Sequence, residues 1–169
     1  GHVSLGNYIA QISGQPQTND TQGDCVTMTE FEATGTDADG IVAGQGCVYP
    51  ADVPTVANQL EDAGLTWGGY MEDMGEPCRH PAIGEPGNEA PVEGDQYAVR
   101  HNPFMYFHSI IDDQASCEAN VVDLTELPAA LESADTTPNL VYISPNLCND
   151  GHDEPCVDGR PGGLVTADA

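Results

Sequence analysis

Residues 139–153 read NLVYISPNLCNDGHD. A short apolar run, Leu140 to Ile143, ends at Ser144 and Pro145 and opens into a segment holding Cys148, Asp150, His152 and Asp153. An apolar run of this length, bounded by turn formers, predicts a buried strand. Upstream, LTWGGYME at 65–72 and NVVDL at 120–124 repeat the pattern. Between these strands lie stretches of helical spacing. SLGNYIAQIS at 4–13 places Leu5, Tyr8, Ile9 and Ile12 on one face, with Ser4 as N-cap and Gly14 as stop. ADVPTVANQLEDAG at 51–64 reads as a helix with Asp52 near its cap, Pro54 in its first turn and Gly64 at its end. HNPFMYFHSII at 101–111 predicts a helix capped by Asn102 with Pro103 at its first position, and 125–134 predicts another. The alternation predicts an α/β fold with a mostly parallel sheet flanked by helices.

In such sheets functional loops gather beyond the carboxyl ends of the strands. The segment from Pro145 to Asp153 follows one strand and Glu72–Asp73 follow another, so both fall at that end. Two stretches break the pattern. Residues 15–48 are rich in Thr, Gly, Asp and Gln and read as a surface excursion; residues 75–96 form a Pro- and Gly-rich loop. DADG at 37–40 is half of a calcium-loop pattern without its distal Glu, and reads as a turn.

The chain has 169 residues, one domain's worth. Its 28 acids face three arginines and no lysine, for a formal charge of −25. Such a surface repels nucleic acid and anionic membranes. With 39% hydrophobic residues and periodic apolar segments the chain is predicted to fold rather than remain disordered. Self-repulsion then destabilises it in dilute salt, and screening shortens the reach of each charge to roughly 3 Å at 1 M. The expectation is a salt-adapted, halophilic protein. No apolar run is long enough to span a bilayer.

Six cysteines form an even set, as in proteins of an oxidising, extracytoplasmic compartment. Paired in sequence order they give Cys25–Cys47, Cys78–Cys117 and Cys148–Cys156. A zinc set of Cys148, His152 and Cys156 would align only on a helix, which Gly151 and Pro155 interrupt, so a disulfide is the better reading. Asp150, His152 and Asp153 remain open between metal ligation, catalysis and a solvated acidic loop. His101 sits at a helix start, where an anion is welcomed, but a single histidine is more often structural.

Taken together, HVSLGNYIAQISG at 2–14, LEDAGLTWGGYMEDM at 60–74, RHNPFMYFHSI at 100–110, TPNLVYISPNLCNDGHD at 137–153 and GGLVTADA at 162–169 resemble the phosphoesterase family. That family includes bacterial acid phosphatases and phospholipases C and lies in the alkaline phosphatase-like superfamily. The chain also resembles its secreted actinobacterial or archaeal branch, in which cysteines flank the same loops. Family members carry His-Pro-Ser-Leu-Pro-Asn-Tyr at the first motif, with the serine as nucleophile and metal ligand. Here Val3 and Gly6 replace the two prolines. The resemblance implies Ser4 as nucleophile, His101 as a second catalytic residue, and Asn7, His152 and Asp153 as substrate-binding groups. It implies Ser4 and Asp150 as contacts of a divalent ion, one of Ca, Zn, Mg or Mn.

The implied activity is hydrolysis of phosphate monoesters, or of phosphodiesters as in phospholipase C, on a small molecule or lipid headgroup without stable membrane insertion. The family's Glu-Asn pair upstream of the nucleophile and its acidic pair downstream of GGL have no counterpart here. The chain therefore reads as a single partial domain over 1–169, incomplete at both ends, with activity expected of its intact parent. The rival expectation is a non-catalytic acidic secreted module that binds calcium or a protein partner.

Overall fold

A computed structural model describes residues 3–87 and 90–168. His2, Glu89 and Ala169 are among those outside it. Its centre is a three-stranded parallel sheet in the order β4 (Val121–Asp123), β3 (Trp67–Met71), β5 (Leu140–Ser144). The expected α/β class and parallel pairing are both present. β3 is buried along its whole length, as befits the middle strand. Gly69 makes room there: a side chain at this position would press on Phe104, whose ring packs against Trp67 and Tyr142.

α1 (Ser4–Ser13) follows its predicted bounds and buries Leu5, Ile9 and Ile12. Each such side chain contributes about 1.5–3 kcal/mol by leaving water. Gly14, at φ 72°, ends it in a left-handed turn that returns an N–H to Ala10. Ser4 is not the N-cap. Val3, in extended conformation, takes that position without a side-chain bond, and Ser4 is the first helical residue.

The stretch 15–48 is less superficial than its composition suggests. It forms α2 (Asn19–Gln22) and the antiparallel pair β1 (Glu32–Thr36) and β2 (Val42–Gln45), and it buries Met28, Phe31 and Val48. Asp37 closes the hairpin by accepting from the N–H groups of Asp39 and Ile41, so DADG is a turn. α3 (Val56–Asp62) starts later than predicted. Thr55 and Asn58 form a reciprocal capping box, which displaces Asp52 and Pro54 from the helix start. Gly64 ends this helix in left-handed conformation, as expected.

The helix predicted from Asn102 to Ile111 is instead broken in three. 3-10 turns at Val99–His101 and Pro103–Tyr106 precede α4 (His108–Ile111). Tyr49 explains the break: its N–H donates to Tyr106 O and its carbonyl accepts from His108 N, holding Phe107 extended between them. Phe104 to Phe107 are all buried, and a continuous helix would have turned some of them outward. α5 (Gln114–Asn120), unpredicted, is capped by Asp113 and carries Cys117. The expected helix at 125–134 shrinks to a 3-10 turn at Leu124–Glu126 and α6 (Leu127–Ala130), with Pro128 in its first turn. α7 (Gly163–Ala167) completes the described chain.

The disulfides are those given by sequence order: Cys25–Cys47, Cys78–Cys117 and Cys148–Cys156. The loop at 75–96 is anchored by Cys78 and by backbone bonds of Gly84, Glu85 and Gly87 to residues 26–28. Among the described residues no helix is long and apolar enough to cross a membrane.

Candidate active site

The loops after β3 and β5 are bonded into one framework. Glu72 accepts from Asn146 N at 2.9 Å and from Asn149 Nδ2 at 2.6 Å. Asp73, at φ 60°, accepts from Asn146 Nδ2 at 2.8 Å. Asn146 Oδ1 turns back to receive the N–H groups of Cys148 and Asn149. Both loops are thereby fixed at the carboxyl end of the sheet, where residues from different strands can meet. Cys148–Cys156 closes the second loop, and Asp153 O accepts from Gly163 N at 2.9 Å. Gly162, at φ 71°, lies so close to that carbonyl that a side chain would collide with it, which accounts for glycine at this point of the GGL motif.

On this framework the loop reaches His101. Asp150 Oδ2 lies 2.8 Å from His101 Nδ1, with the side chains 12% and 5% exposed. The approach is at ion-pair distance but off hydrogen-bond alignment, and neither ring nitrogen of His101 is hydrogen-bonded among the described residues. Asp150 Oδ1 accepts from His152 N, and His152 Nδ1 lies 2.8 Å from Asp153 Oδ1. The His152 ring stands edge-on to His101, centroids 5.8 Å apart. His101, Asp150, His152 and Asp153 are therefore one cluster, though far apart in sequence.

The cluster faces α1 through Tyr8, whose ring centroid is 5.1 Å from that of His101. Burial raises the Tyr8 pKa, and the charge of Asp150 raises it further against the opposing pull of Arg100. Ser4 lies one turn ahead of Tyr8, a spacing that puts both on the same helix face. It is half-buried, and its hydroxyl makes no hydrogen bond among the described residues. Asn7 is exposed and donates one amide hydrogen to Val3 O at 2.9 Å. The start of α1 is partly engaged: Leu5 N donates to Asp24 Oδ1 at 2.8 Å.

Tyr8, Asp24 and Asn146 were not among the residues singled out from sequence. Helical spacing from Ser4 could have found Tyr8. Nothing local could have found Asp24, whose partners are tertiary.

Among the described residues the convergent set of three or more donors is Cys148, Cys156 and Asp158, and both sulfurs are spent in a disulfide. Ser4 and Asp150 do not make a cage by themselves, so the described residues do not fit a complete site for the expected ion.

A model of the Phosphoesterase family matches residues 2–161. The phosphate-repressible acid phosphatase of Penicillium chrysogenum is 31% identical over 152 residues, covering 89% of this chain and 32% of that protein. An acid phosphatase of Aspergillus niger is 29% identical over 105 residues, covering 62% of this chain and 23% of its own. An acid phosphatase of Aspergillus fumigatus is 27% identical over 121 residues, covering 72% and 26%. The chain thus spans a third or less of the length of these relatives. With the family model running across nearly all of it, this chain belongs to the phosphoesterase family.

Proposed function

We propose that the polypeptide carrying these residues hydrolyses phosphate esters, with Ser4 as nucleophile. The observation that carries this reading is the cluster of His101 and Asp150 packed, through Tyr8, against the helix face that bears Ser4. Membership of the phosphoesterase family and relatives named acid phosphatase support it.

Ser4 Oγ would attack phosphorus as the ester P–O bond breaks, its hydroxyl proton passing to solvent water, and would give a phosphoserine that water then hydrolyses to phosphate and the Ser4 hydroxyl. With the Nδ1 side of His101 turned to Asp150, Nε2 is the nitrogen left to pass a proton to the departing oxygen. His152, oriented by Asp153, and Asn7 would bind the phosphoryl oxygens. A divalent ion touching Ser4 and Asp150 would need further ligands from beyond the described residues. The substrate is a phosphate monoester or diester, free or as a lipid headgroup. Three disulfides support an extracytoplasmic location.

Turnover of p-nitrophenyl phosphate and bis-p-nitrophenyl phosphate, with and without added divalent ions, tests the reading. It should be measured on this chain, on any longer polypeptide that carries it, and on Ser4→Ala. Trapped phosphoserine at Ser4 is expected by mass spectrometry after acid quench. Undiminished turnover in Ser4→Ala would remove the nucleophile. Inactivity of every form, with calcium bound, would favour the non-catalytic acidic module.

A further inference from the structure

Asp24 reaches two elements of the site with one carboxylate. Its Oδ1 accepts from Leu5 N, in the first turn of α1, at 2.8 Å. Its Oδ2 lies 3.9 Å from Arg100 Nε, with the two side chains 13% and 7% exposed. Arg100 directly precedes His101, and the His101 ring packs on Tyr8, one helical turn beyond Ser4. One carboxylate thus joins the start of the helix bearing Ser4 to the short turn bearing His101.

The backbone around Asp24 is arranged to bring that carboxylate in. α2 ends at Gly23, after which Asp24 and Cys25 both have positive φ, 58° and 49°. Two consecutive residues other than glycine in the left-handed region are costly and persist only where surrounding structure imposes them. Here the imposing contacts are visible. Cys25 is bonded to Cys47, Cys25 N donates to Asp20 O, and Asp20 Oδ2 accepts from Gly46 N. Asp tolerates this conformation better than most residues, and its negative charge suits a helix N-terminus.

We propose that Asp24 is a positioning residue, holding the first turn of α1, and with it Ser4, in register with Arg100 and His101. The role rests on the reading of Ser4 as nucleophile; the hold on α1 does not. Because Asp24 caps from outside, neither Val3 nor Ser4 has to supply the cap, and the Ser4 hydroxyl stays available for chemistry. A serine serving as its own helix cap would have its oxygen committed to the backbone.

Two substitutions separate the parts of this role. Asp24→Gly deletes the carboxylate while accepting the positive φ, so it spares the backbone. Asp24→Asn keeps an acceptor of the same length and removes the charge. In Asp24→Gly the Leu5 amide should exchange with solvent at least tenfold faster, while the β3 amides exchange as in the unmodified protein. kcat for p-nitrophenyl phosphate should fall at least tenfold with KM changed less than twofold. Asp24→Asn should restore most of the Leu5 protection and part of kcat.

Unchanged Leu5 exchange in Asp24→Gly overturns the hold on α1, whatever the activity. A loosened Leu5 amide with unchanged kcat overturns the positioning role. Ser4→Ala run in parallel distinguishes the failures. Turnover kept in that variant overturns the nucleophile; turnover lost there and kept in Asp24→Gly overturns only the positioning.

Discussion

Asn146 Nδ2 donates to Asp73 Oδ2 at 2.8 Å, joining the loop that follows β5 to the loop that follows β3. Asn146 is 4% exposed and uses its backbone N–H, its amide nitrogen and its amide oxygen in this junction. Asn146→Ala would leave Asp73 short of a donor and the N–H groups of Cys148 and Asn149 short of an acceptor. The expected loss is about 1–3 kcal/mol, the range for removing one partner of a buried polar set. Urea denaturation should show it as a lowered midpoint at unchanged slope.

Activity should depend steeply on the pair that this junction positions. His101→Gln is expected to lower kcat about 10²–10⁴-fold, the usual contribution of a positioned acid or base. Asp150→Asn should cost less, since it leaves the imidazole in place and removes only its charged neighbour. Circular dichroism matching that of the unmodified protein would assign both losses to chemistry, and equal activity in His101→Gln would remove that residue from the mechanism.

His108 lies 2.7 Å from Glu30 Oε2 and 2.8 Å from Asp112 Oδ1. Partial burial by itself would lower its pKa, but the hydrogen bonds and charges of Asp112 and Glu30 outweigh it and raise the pKa above the ordinary 6.5. A histidine whose pKa is raised in the folded state contributes stability that is fully present below its unfolded value, and that stability disappears as pH climbs through the folded value. Stability should therefore fall from pH ~6 upward across the His108 titration, to a degree that vanishes in the double variant Glu30→Gln, Asp112→Asn. Proton NMR of the His108 ring gives the folded pKa directly, and a value at or below 6.5 would contradict this account.

Salt is the fourth lever. A formal charge of −25 on 169 residues, with three arginines to offset it, means that most carboxylates face like neighbours. Screening at about 1 M salt cuts the reach of that repulsion to roughly 3 Å. The melting temperature should rise between about 0.1 M and about 2 M potassium chloride, and a flat response would rule out salt adaptation by this route.

What could be read from the sequence was what local pattern determines. α1 and its glycine stop, the three apolar strands and the turn at Asp37 depend on spacing and on residues a few positions apart. The three disulfides followed sequence order because each closes a loop of its own. Tertiary partners decided the rest. Tyr49 breaks the helix expected at 101–111, and Thr55 with Asn58 outcompetes Asp52 for the start of α3. The grouping of His101 with Asp150 and His152 was implied by family resemblance, since no local spacing relates residues so distant in sequence. Ser4 looked like a cap because serine usually is one, whereas Val3 holds that position without a side-chain bond and the carboxylate that accepts from the first turn is Asp24, nineteen residues beyond Leu5.

The sheet has an arrangement with practical weight. β3 is enclosed by two neighbours, whereas β5 pairs on one side only among the described residues and leaves Ile143 49% exposed. A strand margin with open N–H and C=O groups is a template for a further strand, from a continuing polypeptide or from another molecule. Like charge keeps molecules apart in dilute salt, and the added salt expected to steady the fold would weaken that guard. A melting temperature that rises with salt would therefore come with a greater tendency to strand-to-strand association.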